Sequence, residues 1–167
     1  MIWLRSTLLL VLVLLPTAGY GQENPPDPCE ALLGTSGIPP AWPGIVLDAS
    51  TGDTLQIQLK SIGTRRVKLA GILAPKGSES LAAVSRFHLA HLAKGMRVFV
   101  ILDPPWKVWP AQVTAVVEDF AEAQLAAGLA QNLREEQSSL GPYATCRCGR
   151  AEQQAREAGL GLWAKPH

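Results

Sequence analysis

Long apolar runs are scarce in this sequence. Its one unbroken aliphatic stretch, Leu8–Leu15, is well short of the roughly 20 residues that a membrane-spanning helix needs. No later stretch reaches that length, so stable membrane insertion of the folded part is not expected. An excess of one charge is lacking too: 15 basic and 14 acidic residues give a formal net charge of +1. Proteins that grip nucleic acid through many phosphates carry a clear basic excess, so a dedicated polyanion binder is disfavoured. Cysteine is sparse, with Cys29, Cys146 and Cys148 only, and aromatics make up 6%.

The start of the chain has the parts of an export signal: Arg5, the run Leu8–Leu15, and small residues at Gly19 and Gly21. The expected organisation is a signal peptide over 1–21 cleaved near Gly21, a Pro-rich extended arm over 22–43, and one folded domain over 44–167. A secreted or periplasmic destination follows. Cleavage takes Arg5 away, leaving 14 basic against 14 acidic residues. About 146 residues remain, which suits one domain with one core. In an oxidising compartment the three cysteines suggest one bridge and one odd thiol. A bridge from Cys29 to Cys146 or Cys148 would staple the N-terminal segment to the C-terminal region. A Cys146–Cys148 bridge would close a tight ring.

Six prolines from Pro25 to Pro43 deny the arm a regular hydrogen-bond ladder. From Gly44 the pattern changes: Ile45, Val46 and Leu47 read as a buried strand, and Ser50-Thr51-Gly52-Asp53 as a turn. Leu55, Ile57 and Leu59 then alternate with Gln56, Gln58 and Lys60, the period of a half-buried strand. Gly63 marks the next turn. A third strand through Val67 and Leu69 runs into Ile72 and stops at Pro75. Beyond Ser78, Leu81, Val84, His88 and Leu92 recur at helical spacing as the buried stripe of a first helix, closed by Gly95. Met96–Leu102 and Val113–Val117 read as two more strands. Asp119 with Glu122 opens a second helix ending near Gly128, and a third runs from about Gly149 to Ala158, with Glu152 and Arg156 in supportive spacing. This element order predicts an α+β, mainly β fold: a five-stranded OB-type barrel with three helices.

Gly52-Asp53-Thr54, Val67-Lys68-Leu69-Ala70-Gly71-Ile72 ending in Ala74-Pro75, Gly128-Leu129-Ala130, and the closing stretch Ala151 to Trp163 occur in order. Together they resemble the landmarks of the staphylococcal nuclease (thermonuclease) family, over roughly Gly44 to Ala164. The resemblance implies that family's fold. It also implies a site in which Ca²⁺ is held by two aspartates and a threonine carbonyl, a glutamate helps activate water, and two arginines stabilise phosphate charge.

Carried over residue by residue, Asp53 stands at the first metal position and Thr54 follows as expected. The other positions depart from the pattern. Lys68 replaces the first arginine, keeping charge but losing the planar fork. Leu73 replaces the second aspartate, Ala74 the threonine, and Lys76 the glutamate, while the second arginine should fall near Trp106-Lys107-Val108-Trp109, where none exists. Glu79 is the nearest substitute acid. The resemblance therefore implies a catalytically degenerate nuclease homologue, with Ca²⁺ as cofactor only if the site is active.

Three sets of residues carry binding expectations. Lys68 and Lys76 suit an anion, and Trp106 and Trp109 around Lys107 suit stacking on a base, a sugar or a side chain. His88 and His91, three residues apart, would need to converge with Cys146 and Cys148 to hold zinc. Ser85 lacks a nucleophile-elbow context. The leading expectation is an exported protein that binds a nucleic acid, a phosphate-containing ligand or an envelope protein. The alternatives are a weak Ca²⁺-dependent phosphodiesterase built on Asp53 and Lys68, and a structural or interaction module.

Overall fold

A computed structural model describes residues 27–33, 41–60, 62–77, 80–102, 110–115, 119–133 and 141–165. The expected signal segment, Glu79, and the Trp106 to Trp109 loop lie outside the described residues.

The fold is α+β with a mostly antiparallel sheet and three helices. In chain order the elements are β1 (Ala41–Thr51), β2 (Thr54–Leu59), β3 (Gly63–Leu69), β4 (Ile72–Leu73), α1 (Ser80–Ala93), β5 (Arg97–Leu102), β6 (Pro110–Ala115), α2 (Phe120–Ala126), β7 (Gln131–Asn132) and α3 (Gly141–Glu157). Strand β1 pairs with β2 and β5, β2 also with β3, and β5 also with β6, all antiparallel. A short parallel contact joins β3 to β6. The two-residue strands β4 and β7 form a separate ribbon.

The alternation read in β2 is the one observed: Leu55, Ile57 and Leu59 point into the core beside Val46, Val67, Leu69, Val98 and Val100. Helix residues Leu89, Ala93, Phe120, Leu125, Cys148 and Ala151 cover that apolar face. Helix α2 starts where Asp119 Oδ1 accepts from the Ala121 and Glu122 amides, at 2.9 and 3.3 Å. It ends at Gly128, whose φ of 67° suits glycine.

Six expectations shift. Strand β1 begins at Ala41, inside the expected arm, because Ala41 to Pro43 pair with Phe99 to Ile101. Within it Val46 alone of the Ile45-Val46-Leu47 run is buried, since a strand sends its neighbours to the other face and a register shift follows Val46. The third strand does not run on to Ile72; β4 leaves the main sheet to join β7. In α1 the buried stripe is Ser85, Leu89 and Ala93, while Val84 is 51% exposed, so the buried face lies one residue round from the apolar spacing. The strand expected over 113–117 is observed at Pro110–Ala115, and α3 begins at Gly141, eight residues before the expected start.

The N-terminal segment is tied to α3. A Cys29–Cys146 disulfide spans a sequence separation of 117, choosing between the two long-range pairings expected, and Arg150 pairs with Asp27 beside it. Cys148, two residues on, is a buried free thiol. Arg147 reaches Glu122 at 2.7 Å, tying α3 to α2, and this hydrogen bond, followed by that to Tyr143, raises the Arg147 pKa further. Glu152 accepts from the Asn132 amide and pairs with Arg156 at 3.2 Å, and Arg156 lies over the Trp163 ring.

Candidate functional site

The site that the sequence singles out lies at the β1–β2 turn, where Asp53 is 4% exposed. Its backbone carbonyl accepts from the Leu69 amide at 2.7 Å. Its carboxylate accepts three more bonds: Oδ1 from the hydroxyls of Thr51 (2.6 Å) and Thr54 (3.0 Å), and Oδ2 from the Ala74 amide (3.3 Å). The short loop supplies its own hydroxyls because serine, threonine and aspartate readily bond to nearby groups in turns. One residue thus holds together the hairpin turn and the segment after β4 through its side chain, and the end of β3 through its backbone carbonyl.

Lys68 is directly opposite Thr54 in the β2–β3 ladder, and Lys76 is two residues beyond Ala74. Asp53 therefore gathers the strands that bear Thr54 and Lys68, and the segment at Ala74, at one turn. Lys68 and Leu73 are half-buried and Lys76 is exposed. Trp106, Lys107, Trp109 and Glu79 are outside the described residues. Cys146 is consumed by the disulfide and His91 is exposed on α1, so the imagined zinc quartet does not assemble. Among the described residues no group of three or more His, Cys, Asp or Glu side chains is placed to hold a metal ion.

Beneath the turn is a polar network that sequence reasoning missed. Gln124 is fully buried, and its Nε2 reaches the Gly52 carbonyl (2.5 Å), the Ser85 carbonyl (3.1 Å) and Ser85 Oγ (3.1 Å). Ser85 Oγ donates to the Leu129 carbonyl at 2.8 Å, and His88 Nδ1 meets Gln124 Oε1 at 2.5 Å. With the amide so turned its oxygen only accepts, so His88 carries its proton on Nδ1 and, when neutral, keeps the lone pair on Nε2. Gly52 is obligatory for this contact: a Cβ there would meet Ser85 Oγ at 1.8 Å. The signal was present, since Gln124 lies on the same stripe as Phe120, Ala121 and Leu125, where an apolar residue is the rule.

These groups have limited chemistry. The Ser85 hydroxyl is buried and its proton is spent on Leu129, so it is no nucleophile. Calcium prefers six to eight oxygens, with carboxylates to offset the loss of its water shell. Here the implied donor set offers one buried carboxylate already engaged by three donors, Leu73 in place of the second, and Ala74 with a carbonyl only. The residues at this turn do not fit a calcium ion.

No helix among the described residues is long and apolar enough to cross a membrane. Comparison of the chain with protein families finds no family model that matches it, and comparison with curated proteins finds no match.

Proposed function

We propose that the chain is an exported, thermonuclease-like protein that has lost the catalytic set and acts by binding an anion of the phosphate class, free or in a nucleic acid, through Lys68 and Lys76. The observation that carries this reading is the state of Asp53. In a working metal site its carboxylate would face the ion; here it is buried and fastens Thr51, Thr54 and Ala74. An aspartate kept as a fastener, with Lys68 opposite Thr54 and Lys76 two residues past Ala74, leaves a turn with cationic side chains and no metal chemistry. The pairing order β1-β2-β3-β6-β5, in which β5 also lies beside β1, supports an OB-type barrel as the frame.

The test combines cleavage and binding. The chain is incubated with single- and double-stranded DNA in Ca²⁺ and in chelator, and its retention of a fluorescent oligonucleotide is followed against salt. No metal-dependent cleavage is expected, with weak, salt-sensitive retention that falls on Lys68→Ala and Lys76→Ala, each lowering the salt slope by about 1. Ca²⁺-dependent cleavage lost in Asp53→Asn would sink the degenerate-site reading. Retention unchanged in both lysine variants would sink the anion reading.

A further inference from the structure

The outward face of β5, β1, β2 and β3 carries side chains that neither the core nor the candidate site uses. Ile45 is 46%, Leu47 41% and Phe99 49% exposed, a size and number of bare apolar groups that marks a contact surface when they adjoin. They do adjoin: Pro43 is directly opposite Phe99, and Ile45 is one step along the same face. Opposite residues in an antiparallel pair bring their Cβ atoms within about 4.5–5.5 Å, and diagonal ones within reach of an aromatic ring.

Basic residues bracket this ridge. Arg97 is opposite Ile45 on one side, and Gln58 on the other. Beyond them Arg66 is opposite Gln56. On that outward side Arg66, Lys68 and Arg97 stand against one acid, Asp48, which is opposite Gln56, whereas Arg65 is opposite the core-facing Ile57. A nearly neutral chain has thus put a local positive excess around an apolar ridge.

We infer that this face docks a protein segment with an apolar stripe edged by carboxylates, an acidic amphipathic helix of a partner. At Ile45 and Phe99 the strands β1 and β5 are paired on both sides, so along the ridge a partner meets side chains and does not add as a further strand. A second copy of this chain would bring two faces of net positive charge together, with one Asp48 from each to offset them. A nucleic acid would lay phosphates on Ile45 and Leu47, with Phe99 as the face's one aromatic ring to stack on. A bilayer would have to dehydrate Gln56, Gln58 and Thr64, which lie beside the apolar groups on β2 and β3. A helix with leucines on one stripe and glutamates beside it fits ridge and bracket together. The inference rests on Ile45, Phe99, Arg66 and Arg97, none of which the anion reading uses, and Lys68 is the one residue the two readings share.

The test measures fluorescence anisotropy of a designed peptide with leucines at i, i+3, i+4 and i+7 flanked by glutamates, titrated with the full chain. A scrambled peptide of equal composition, vesicles of phosphatidylglycerol and phosphatidylcholine, and oligo-dT are run beside it. The helical peptide is expected to saturate at least tenfold more tightly than the scrambled one. That affinity should fall at least tenfold in Phe99→Asp and in Arg97→Glu, and stay within twofold in Lys76→Ala. Urea midpoints show whether the variants are folded, and Ile45→Gln replaces Phe99→Asp should the latter unfold. No preference for the helical peptide, or no loss in the face variants, overturns the inference. So does tighter, face-dependent binding to vesicles or oligo-dT, or self-association through the ridge in sedimentation.

Discussion

Replacing Gly52 with alanine asks the turn to accept one methyl group. The new Cβ would be 1.8 Å from Ser85 Oγ, 2.7 Å from Ser85 Cβ and 2.9 Å from Ala74 Cβ. Rotating the hydroxyl away relieves only the first clash and breaks its bond to Leu129 (2.8 Å) and its contact with Gln124. The two Cβ atoms move only with their backbones. Overpacking of this kind costs about 1–3 kcal/mol, and a buried carbonyl stripped of its partner about 1–3 more, so a loss of roughly 2–6 kcal/mol is expected. For a chain of this size that lowers the melting temperature by about 10 °C. Urea unfolding should show a lower midpoint at unchanged slope. Ser85→Gly deletes both nearest atoms, so the double variant should be more stable than the sum of the singles by at least about 1 kcal/mol. A Gly52→Ala chain within about 0.5 kcal/mol of the parent, or strict additivity with Ser85→Gly, would refute the close-contact argument.

Asp53→Asn keeps the shape but turns an amide hydrogen towards donors, so it should cost about 1–3 kcal/mol in thermal unfolding; an unchanged melting point would show that the carboxylate is not a fastener. Replacing Cys29 and Cys146 together with serine opens the bridge that spans a separation of 117 and should cost about 2–4 kcal/mol by the same assay, with no loss expected if the segment 27–33 holds to α3 without it. Burial, reinforced by Asp119 and Glu122, pushes the Cys148 thiol from 9.0 up to about 12. Its native form therefore keeps a proton that the unfolded chain releases. The stability it contributes is fully present below pH 9 and falls by up to about 1.4 kcal/mol per pH unit from there towards 12. A Cys148→Ala chain should lack that part of the slope, and equal slopes in the two proteins would count against a buried neutral thiol.

Local rules made much of the framework readable. The two-residue period of Leu55, Ile57 and Leu59 marks a strand with one wet face, and Asp119 with Gly128 brackets a helix by its first free amides and its left-handed stop. Reading failed where tertiary packing outvoted hydropathy. Val84 continues an apolar stripe, yet Gly52 leaves room for α1 to turn Ser85 inward and hydrogen-bond it, so the aliphatic residue is left bare. The early turns of α3 begin with Gly141 and Pro142 and contain two cysteines, a composition with weak helical preference; contact with α2 and the bridge to Cys29 hold them. At the candidate site the sequence could name Asp53. That its oxygens are taken up by Thr51, Thr54 and Ala74 is a fact of three-dimensional neighbours that no spacing states.

The odd thiol also bears on how the bridge comes to be correct. The chain is synthesised from its N-terminus, so Cys29 must wait for almost the entire domain before its partner exists. When that partner appears, a competitor two residues away appears with it. Packing of α3 resolves the choice: it lodges Cys148 among core side chains, where the thiolate that attacks a disulfide cannot form, and leaves Cys146 towards the waiting segment. Folding thus acts as the proofreader of the oxidation. A Cys148→Ala chain should oxidise to one product even in denaturant, where the parent gives a mixture.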